Sequence, residues 1–173
     1  TEMFIYDEEE SMFIGSFNAK NNDYTGTLST AVVKSDRVVI ELTVPHNELD
    51  DLKLHMDIVT HDFLDFMNFH ENQTSDRVDC NDNVACSSGD DWRDQIDAVV
   101  LVSGNGGLCS ASLVNNTNQD LTPYILYAAH CNGGGSNTIY FNYQSYSCNG
   151  TQPQGYNTMS GTTTLWVGNF SNN

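Results

Sequence analysis

Tyr124-Ile125-Leu126-Tyr127-Ala128-Ala129-His130-Cys131 is the stretch from which the rest of the chain can be read. Its apolar and aromatic run predicts a strand over Tyr124–Ala129. Gly133-Gly134-Gly135 behind it predicts a flexible loop. Small residues ahead of a histidine let its ring lie against the backbone beside a cleft, and a disulfide directly after it would fix the turn. A general base needs this rigid placement and a pKa near neutrality. Taken alone, His130 also reads as an ordinary, partly buried loop histidine.

Outward from this strand, Ile96–Ser103, Leu108–Val114, Ile139–Tyr143 and Leu165–Val167 are further strand-length apolar runs. Gly104-Asn105-Gly106-Gly107 reads as a hairpin turn between the first two. Nearer the start, Met3–Tyr6, Met12–Phe17, Leu28–Val33, Arg37–Val44 and Leu52–Val59 have the same character. Asn21-Asn22-Asp23, Lys34-Ser35-Asp36 and Pro45-His46-Asn47 separate some of them as turns. Only Asp62–Phe69 carries a weak helical signal. Short strands with almost no helix predict an all-β protein. The expected organisation is a small antiparallel β-sandwich over 1–72, a linker or processing region over 73–79 that contains Arg77-Val78, and a second β-module over 80–173.

Charge separates the same two parts. The chain has 173 residues and a net charge of −17, from 23 acidic against 6 basic residues. Asp120 is the only acid beyond residue 97, and residues 131–173 contain no Asp, Glu, Lys, Arg or His. Such acidity argues against nucleic-acid partners, which need phosphate-neutralising cations, and against anionic membrane surfaces. No apolar run reaches the roughly 18 residues needed to span a bilayer. A solubilising surface suited to secretion is the plain reading of the acidity.

The chain has five cysteines: Cys80, Cys86, Cys109, Cys131 and Cys148. They lack the close pairing of metal sites, so a disulfide framework made in an oxidising compartment is expected, with one cysteine left over. Asn72, Asn115, Asn149 and Asn169 head N-x-S/T sequons, which would suit exposed loops of an exported protein. Asp79-x-Asn81-x-Asn83 lacks the glycine and closing glutamate of a calcium loop, because Val84 stands at the turn position. His55, His61 and His70 share no helix or strand face and read as surface histidines. Glu8-Glu9-Glu10 reads as a solvated turn. Neither a cofactor nor a metal is expected.

Ala128-Ala129-His130-Cys131 resembles the catalytic-histidine signature of trypsin-fold serine proteases. Its surroundings are similar to the secreted bacterial lysyl endopeptidases. Cys80 and Cys86, followed by Gly89-Asp90-Asp91-Trp92-Arg93, resemble the start of that mature enzyme. Leu108-Cys109-Ser110-Ala111-Ser112-Leu113-Val114 resembles its cysteine-bearing second strand, and Phe141-Asn142-Tyr143-Gln144 with Cys148 resembles the strand and cysteine that follow. Phe4-Ile5-Tyr6, Ile14-Gly15-Ser16-Phe17 and Val39-Ile40-Glu41-Leu42 resemble the end of the family's propeptide. Tyr127 departs from the pattern, since the family usually has Thr or Ser there.

The resemblance implies that residues 80–173 are the first half of a trypsin-like double β-barrel, with His130 as catalytic base. It implies disulfides Cys86–Cys148 and Cys109–Cys131, and a bond from Cys80 to a second barrel. It also implies what is missing. No acid follows His130, and no Gly-Asp-Ser-Gly-Gly motif occurs anywhere. Ser136 sits in a glycine-rich loop without the setting a nucleophile needs. The chain is therefore expected to be an extracellular serine-endopeptidase fragment that is not competent alone. Its expected partners are the missing second barrel, and a peptide substrate once completed. The alternative is an inactive structural protein whose neighbouring copies join by β-strand addition into a fibre. Non-reducing peptide mapping is expected to find Cys80 free or bonded outside this chain. A Cys80–Cys86 bond would contradict the carry-over.

Overall fold

The structure is a computed structural model, and it describes residues 1–20, 22, 26–62, 82–104, 107–132, 137–150 and 153–168. The protein is all-β, with two antiparallel sheets and short helices only. The chain divides into two compact units, Thr1–Asn72 and Gln73–Asn173.

In the first unit, β1 (Glu2–Asp7) lies between β2 (Phe13–Asn18) and β3 (Val38–Thr43). Ile5 faces Ile14 on one side and Ile40 on the other, and it is buried. Met3 pairs with Phe17 and Ile5 with Ile14, so β2 carries one extra residue, a β-bulge. Gly15 sits in that bulge at φ +133°, where a Cβ would stand 3.0 Å from the Met3 carbonyl oxygen. Cross-strand pairs hold the ends. The rings of Tyr6 and Phe13 stack at 4.8 Å, and the Tyr6 hydroxyl donates to Glu41 Oε2 at 2.8 Å. Glu8, Glu9 and Glu10 form the exposed turn after β1. Buried Asp7 organises it, accepting from Ser11 Oγ at 2.6 Å and from Met12 N–H at 2.8 Å.

Leu28–Val33 and Leu52–Val59 have strand-like composition but join no sheet, so the described residues of this unit make one three-stranded sheet without a second facing it. A strand needs a ladder partner as well as alternation. Leu52, Leu54, Met56 and Ile58 alternate along a segment in which every residue is exposed. The segment between β3 and Leu52 is a 3₁₀ helix, His46–Asp51. The expected Asp62–Phe69 helix lies beyond the described residues, except for Asp62.

The second unit is a five-stranded sheet in the order β6-β5-β4-β7-β8. Its strands are β4 (Val99–Gly104), β5 (Gly107–Val114), β6 (Tyr124–Leu126), β7 (Asn137–Phe141) and β8 (Asn157–Ser160). Period-two alternation puts Val100 and Val102 of β4, Ala111 of β5 and Ile139 of β7 into one buried cluster. Leu113, Ile125, Tyr127 and Phe141 pack around it. On the other face of β7, buried Tyr140 meets Tyr143 and Tyr156 with ring centroids 5.7 and 5.6 Å away. β7 is thus covered on both faces.

The run expected as one strand over Ile96–Ser103 begins as a helix. A 3₁₀ turn, Ser87–Trp92, leads into α1 (Arg93–Asp97), and the strand starts only at Val99. Arg93 directs this departure by donating to the carbonyl oxygens of Val84 and Cys86 at 2.8 and 3.2 Å. Gly89 permits it, since a Cβ there would lie 2.5 Å from the Val84 carbonyl oxygen. Leu165–Val167, expected as a strand, is irregular and exposed, whereas polar Asn157–Ser160 pairs with β7 as β8. The turn residues Asn105 and Gly106 lie outside the described residues.

Burial makes these differences measurable. Ile139→Ala removes a fully enclosed side chain and is expected to cost about 2–5 kcal/mol in urea unfolding. Leu165→Ala, at a site 72% exposed, is expected to stay within about 0.5 kcal/mol of the parent. Equal losses at the two sites would contradict the assigned core.

Candidate functional site around His130

The site is built from the end of β6. Its three residues pair with β5 as Val114–Tyr124, Leu113–Ile125 and Ser112–Leu126. The strand stops at Leu126, short of the expected Ala129, because the next carbonyls are needed for a turn. Ala128 is extended, and a 3₁₀ turn spans Ala129–Cys131. Cys131 N–H donates to the Ala128 carbonyl at 2.9 Å and Asn132 N–H to the Ala129 carbonyl at 3.2 Å. His130 sits on this turn, exposed to solvent, so it is not the partly buried loop histidine that the sequence alone allowed.

Four attachments hold the turn. Cys131 is bonded to Cys109, which lies in the middle of β5 opposite Val102. Tyr127, three residues before the histidine, packs against the sheet core. Asn132 Oδ1 accepts from Thr164 Oγ1 at 3.2 Å. Asn137, at the head of β7, donates through Nδ2 to Tyr127 Oη at 3.3 Å. The second disulfide, Cys86–Cys148, fastens the segment before α1 to the loop beyond β7, with Asn83 Nδ2 donating to the Gly150 carbonyl at 3.1 Å. Closing loops of these lengths contributes about 3–4 kcal/mol each by restricting the unfolded chain.

The described residues supply His130 with no carboxylate partner and no nucleophile at hydrogen-bond distance. Asp120, the one acid beyond residue 97, is engaged in its own loop. It accepts from Asn116 Nδ2 at 2.6 Å and from Thr122 N–H at 3.0 Å. The Thr122 hydroxyl first, then the Asn116 amide, hold its carboxyl down to about 2 from an ordinary 3.8. One ring nitrogen of His130 and the sulfurs of Cys109 and Cys131 lie within 4.8 Å of one another. Thiolates bind metals, and these two sulfurs are joined to each other. A hollow lined by Val99, Val100, Leu101, Ser110 and Tyr143 does not include the histidine.

The remaining sequence candidates fall elsewhere. Asn115 and Asn149 are exposed. Asn72, Cys80, Ser136 and Asn169 lie outside the described residues, as do His70, Arg77-Val78, Asp79 and Asn81. Asn83 is occupied on both sides, by Gly150 and by Ala85 N–H at 3.0 Å. His55 is exposed and pairs with Asp57 at 2.8 Å, and His61 is exposed. Sequence reasoning overlooked Asn137 and Thr162, which are joined by a hydrogen bond from Asn137 Nδ2 to Thr162 Oγ1 at 3.1 Å. Neither stands in a recognisable motif, and polar residues in an Asn- and Thr-rich stretch carry no local signal of burial.

Residues 74–172 match the family described as lysyl endopeptidase, C-terminal domain. The matched span takes in His130 and both disulfides.

The environment of Asp120 generates a pH dependence. A depressed carboxyl stabilises its loop at pH values above the ordinary range, and that stabilisation disappears as pH falls through the depressed value. A carbon-detected NMR titration is expected to place the Asp120 midpoint at about 2, with loss of Thr122 amide protection in the same window. A midpoint near 3.8 would contradict the hydrogen-bonded loop.

Proposed function

The chain belongs to the lysyl endopeptidase family through its C-terminal domain, and from that membership we propose that it carries the histidine-bearing first barrel of a secreted serine endopeptidase, preceded by the end of a propeptide. The observation that carries this reading is the His130 turn, anchored through Cys131 to β5 inside the matched span. In this reading the five-stranded sheet is one half of a trypsin-like double barrel. Unit 1 is propeptide, 73–79 holds the processing point, and Cys80 bonds to the second barrel. Two disulfides support an extracellular location, because such bonds persist in oxidising compartments.

His130 takes the proton of a serine hydroxyl as that oxygen attacks the scissile carbonyl, then returns it to the leaving amine. An exposed ring on a rigid turn suits this, since both transfers require access to groups that are not on its own strand. The serine, the oxyanion hole and the specificity pocket belong in this reading to the second barrel, and the orienting carboxylate to a strand downstream of His130 in the first. In this reading the described residues provide a base without a nucleophile.

A second reading, assembly of neighbouring copies by strand addition, draws support from Leu54, Met56, Ile58 and Val59, which are exposed along an unpaired segment. The charge of −17 opposes it by repulsion between copies. Filaments in electron micrographs would favour it.

The 173-residue chain is expected to show no turnover of a lysyl or arginyl ester above a His130→Ala control. Completed with its second barrel it should turn over, and His130→Ala should then lose a factor of about 10⁴–10⁶. Turnover by the isolated chain that the substitution abolishes would contradict the proposal.

A further inference from the structure

Asn137 is completely buried at the head of β7, and its side chain joins two hydroxyls from distant parts of the chain. Its Nδ2 donates to Tyr127 Oη at 3.3 Å and to Thr162 Oγ1 at 3.1 Å. The Oδ1 of the same amide is buried with no hydrogen-bond partner. An unsatisfied buried amide oxygen weakens a fold relative to an apolar residue of the same size. Stability alone therefore does not account for an asparagine here. What the amide supplies is a fork that holds Tyr127 and Thr162 at a set distance from β7.

Both tethered residues lead to the histidine. Tyr127 is the last residue packed against the core before Ala128, Ala129 and His130. Thr162 lies between Gly161, whose N–H is bonded to Asn137, and Thr164, whose hydroxyl is bonded to Asn132 just after the turn. The two ends of the His130 turn are thus tied to one stretch, 161–164, by side-chain hydrogen bonds. His130 itself has no hydrogen-bond partner among the described residues, so its direction is imposed through the backbone. The Cys131 disulfide fixes one point of the turn, and the orientation of the peptide planes needs a second.

We infer that Tyr127, Asn137 and Thr162 are positioning residues that form this second point of attachment and set the direction of the His130 ring without touching substrate. The inference rests on the reading of His130 as the base for its catalytic part only. Tyr127 carries the distinctive contribution. A threonine or serine at its position would place a hydroxyl several ångströms nearer the backbone, out of reach of the same fork.

The test compares Tyr127→Phe and Thr162→Val with Thr162→Ser, which keeps the hydroxyl. In the 173-residue chain, the His130 ring order parameter from carbon relaxation should fall in the first two and hold in the third, with the Cys109–Cys131 bond intact in all. In the protein completed with its second barrel, kcat should drop about ten- to a hundredfold for the first two with KM unchanged. Unchanged ring order in both Tyr127→Phe and Thr162→Val would overturn the inference. So would a KM change without a kcat change. If Tyr127→Phe fails to fold, the Thr162 pair decides alone: Val and Ser behaving alike overturns it. Ring order that falls while His130→Ala leaves activity intact would mean instead that the base assignment fails and the network stands.

Discussion

The covalent bond between Cys109 and Cys131 is the constraint on which the site depends. β6 is only three residues long and lies at the edge of the sheet. A strand that short cannot hold the segment beyond it, and the turn at Ala129–Cys131 is closed by two backbone hydrogen bonds, from Cys131 N–H and Asn132 N–H. Bonding Cys131 to β5 transfers the position of the histidine to the buried part of the unit. There Val100, Val102, Ala111 and Ile139 close the core. Core packing, disulfide and turn form one chain of support. The polar fork at Asn137 ties Tyr127, just ahead of the turn, to Thr162.

The same arrangement explains why the histidine can be solvent-exposed and still well placed. A buried histidine is oriented by its neighbours. An exposed one must be oriented by its backbone, which is why its adjacent residues carry so many attachments. Asp120, the acid nearest in sequence, is withheld from the histidine by its own loop. Its carboxylate is already hydrogen-bonded, and that loop is held by it in turn.

Much of the sheet was legible because its strands alternate. Val100 and Val102, Cys109 and Ala111, and Ile139 all sit where a period of two predicts. The histidine turn was legible from residues 128–131 and the small side chains ahead of the ring. Three things were not. β8 is Asn-Thr-Met-Ser, whose strand character comes from pairing with β7 and not from its own side chains. Leu52–Val59 and Leu165–Val167 are apolar without a ladder partner, so composition alone overstated them. The Arg93 contacts that begin the second unit as a helix are between a side chain and carbonyls of a preceding loop, and no local pattern announces them.

The central claim is that His130 acts as the base of a catalytic group shared between two barrels. Nitrogen-15 NMR of the imidazole in the completed protein tests this most directly. The account predicts a His130 ring with one nitrogen donating to a carboxylate from a strand downstream of it, seen as a proton resonance displaced far downfield that disappears in His130→Ala. A His130 signal indistinguishable from a freely solvated histidine in the completed, active protein would contradict it.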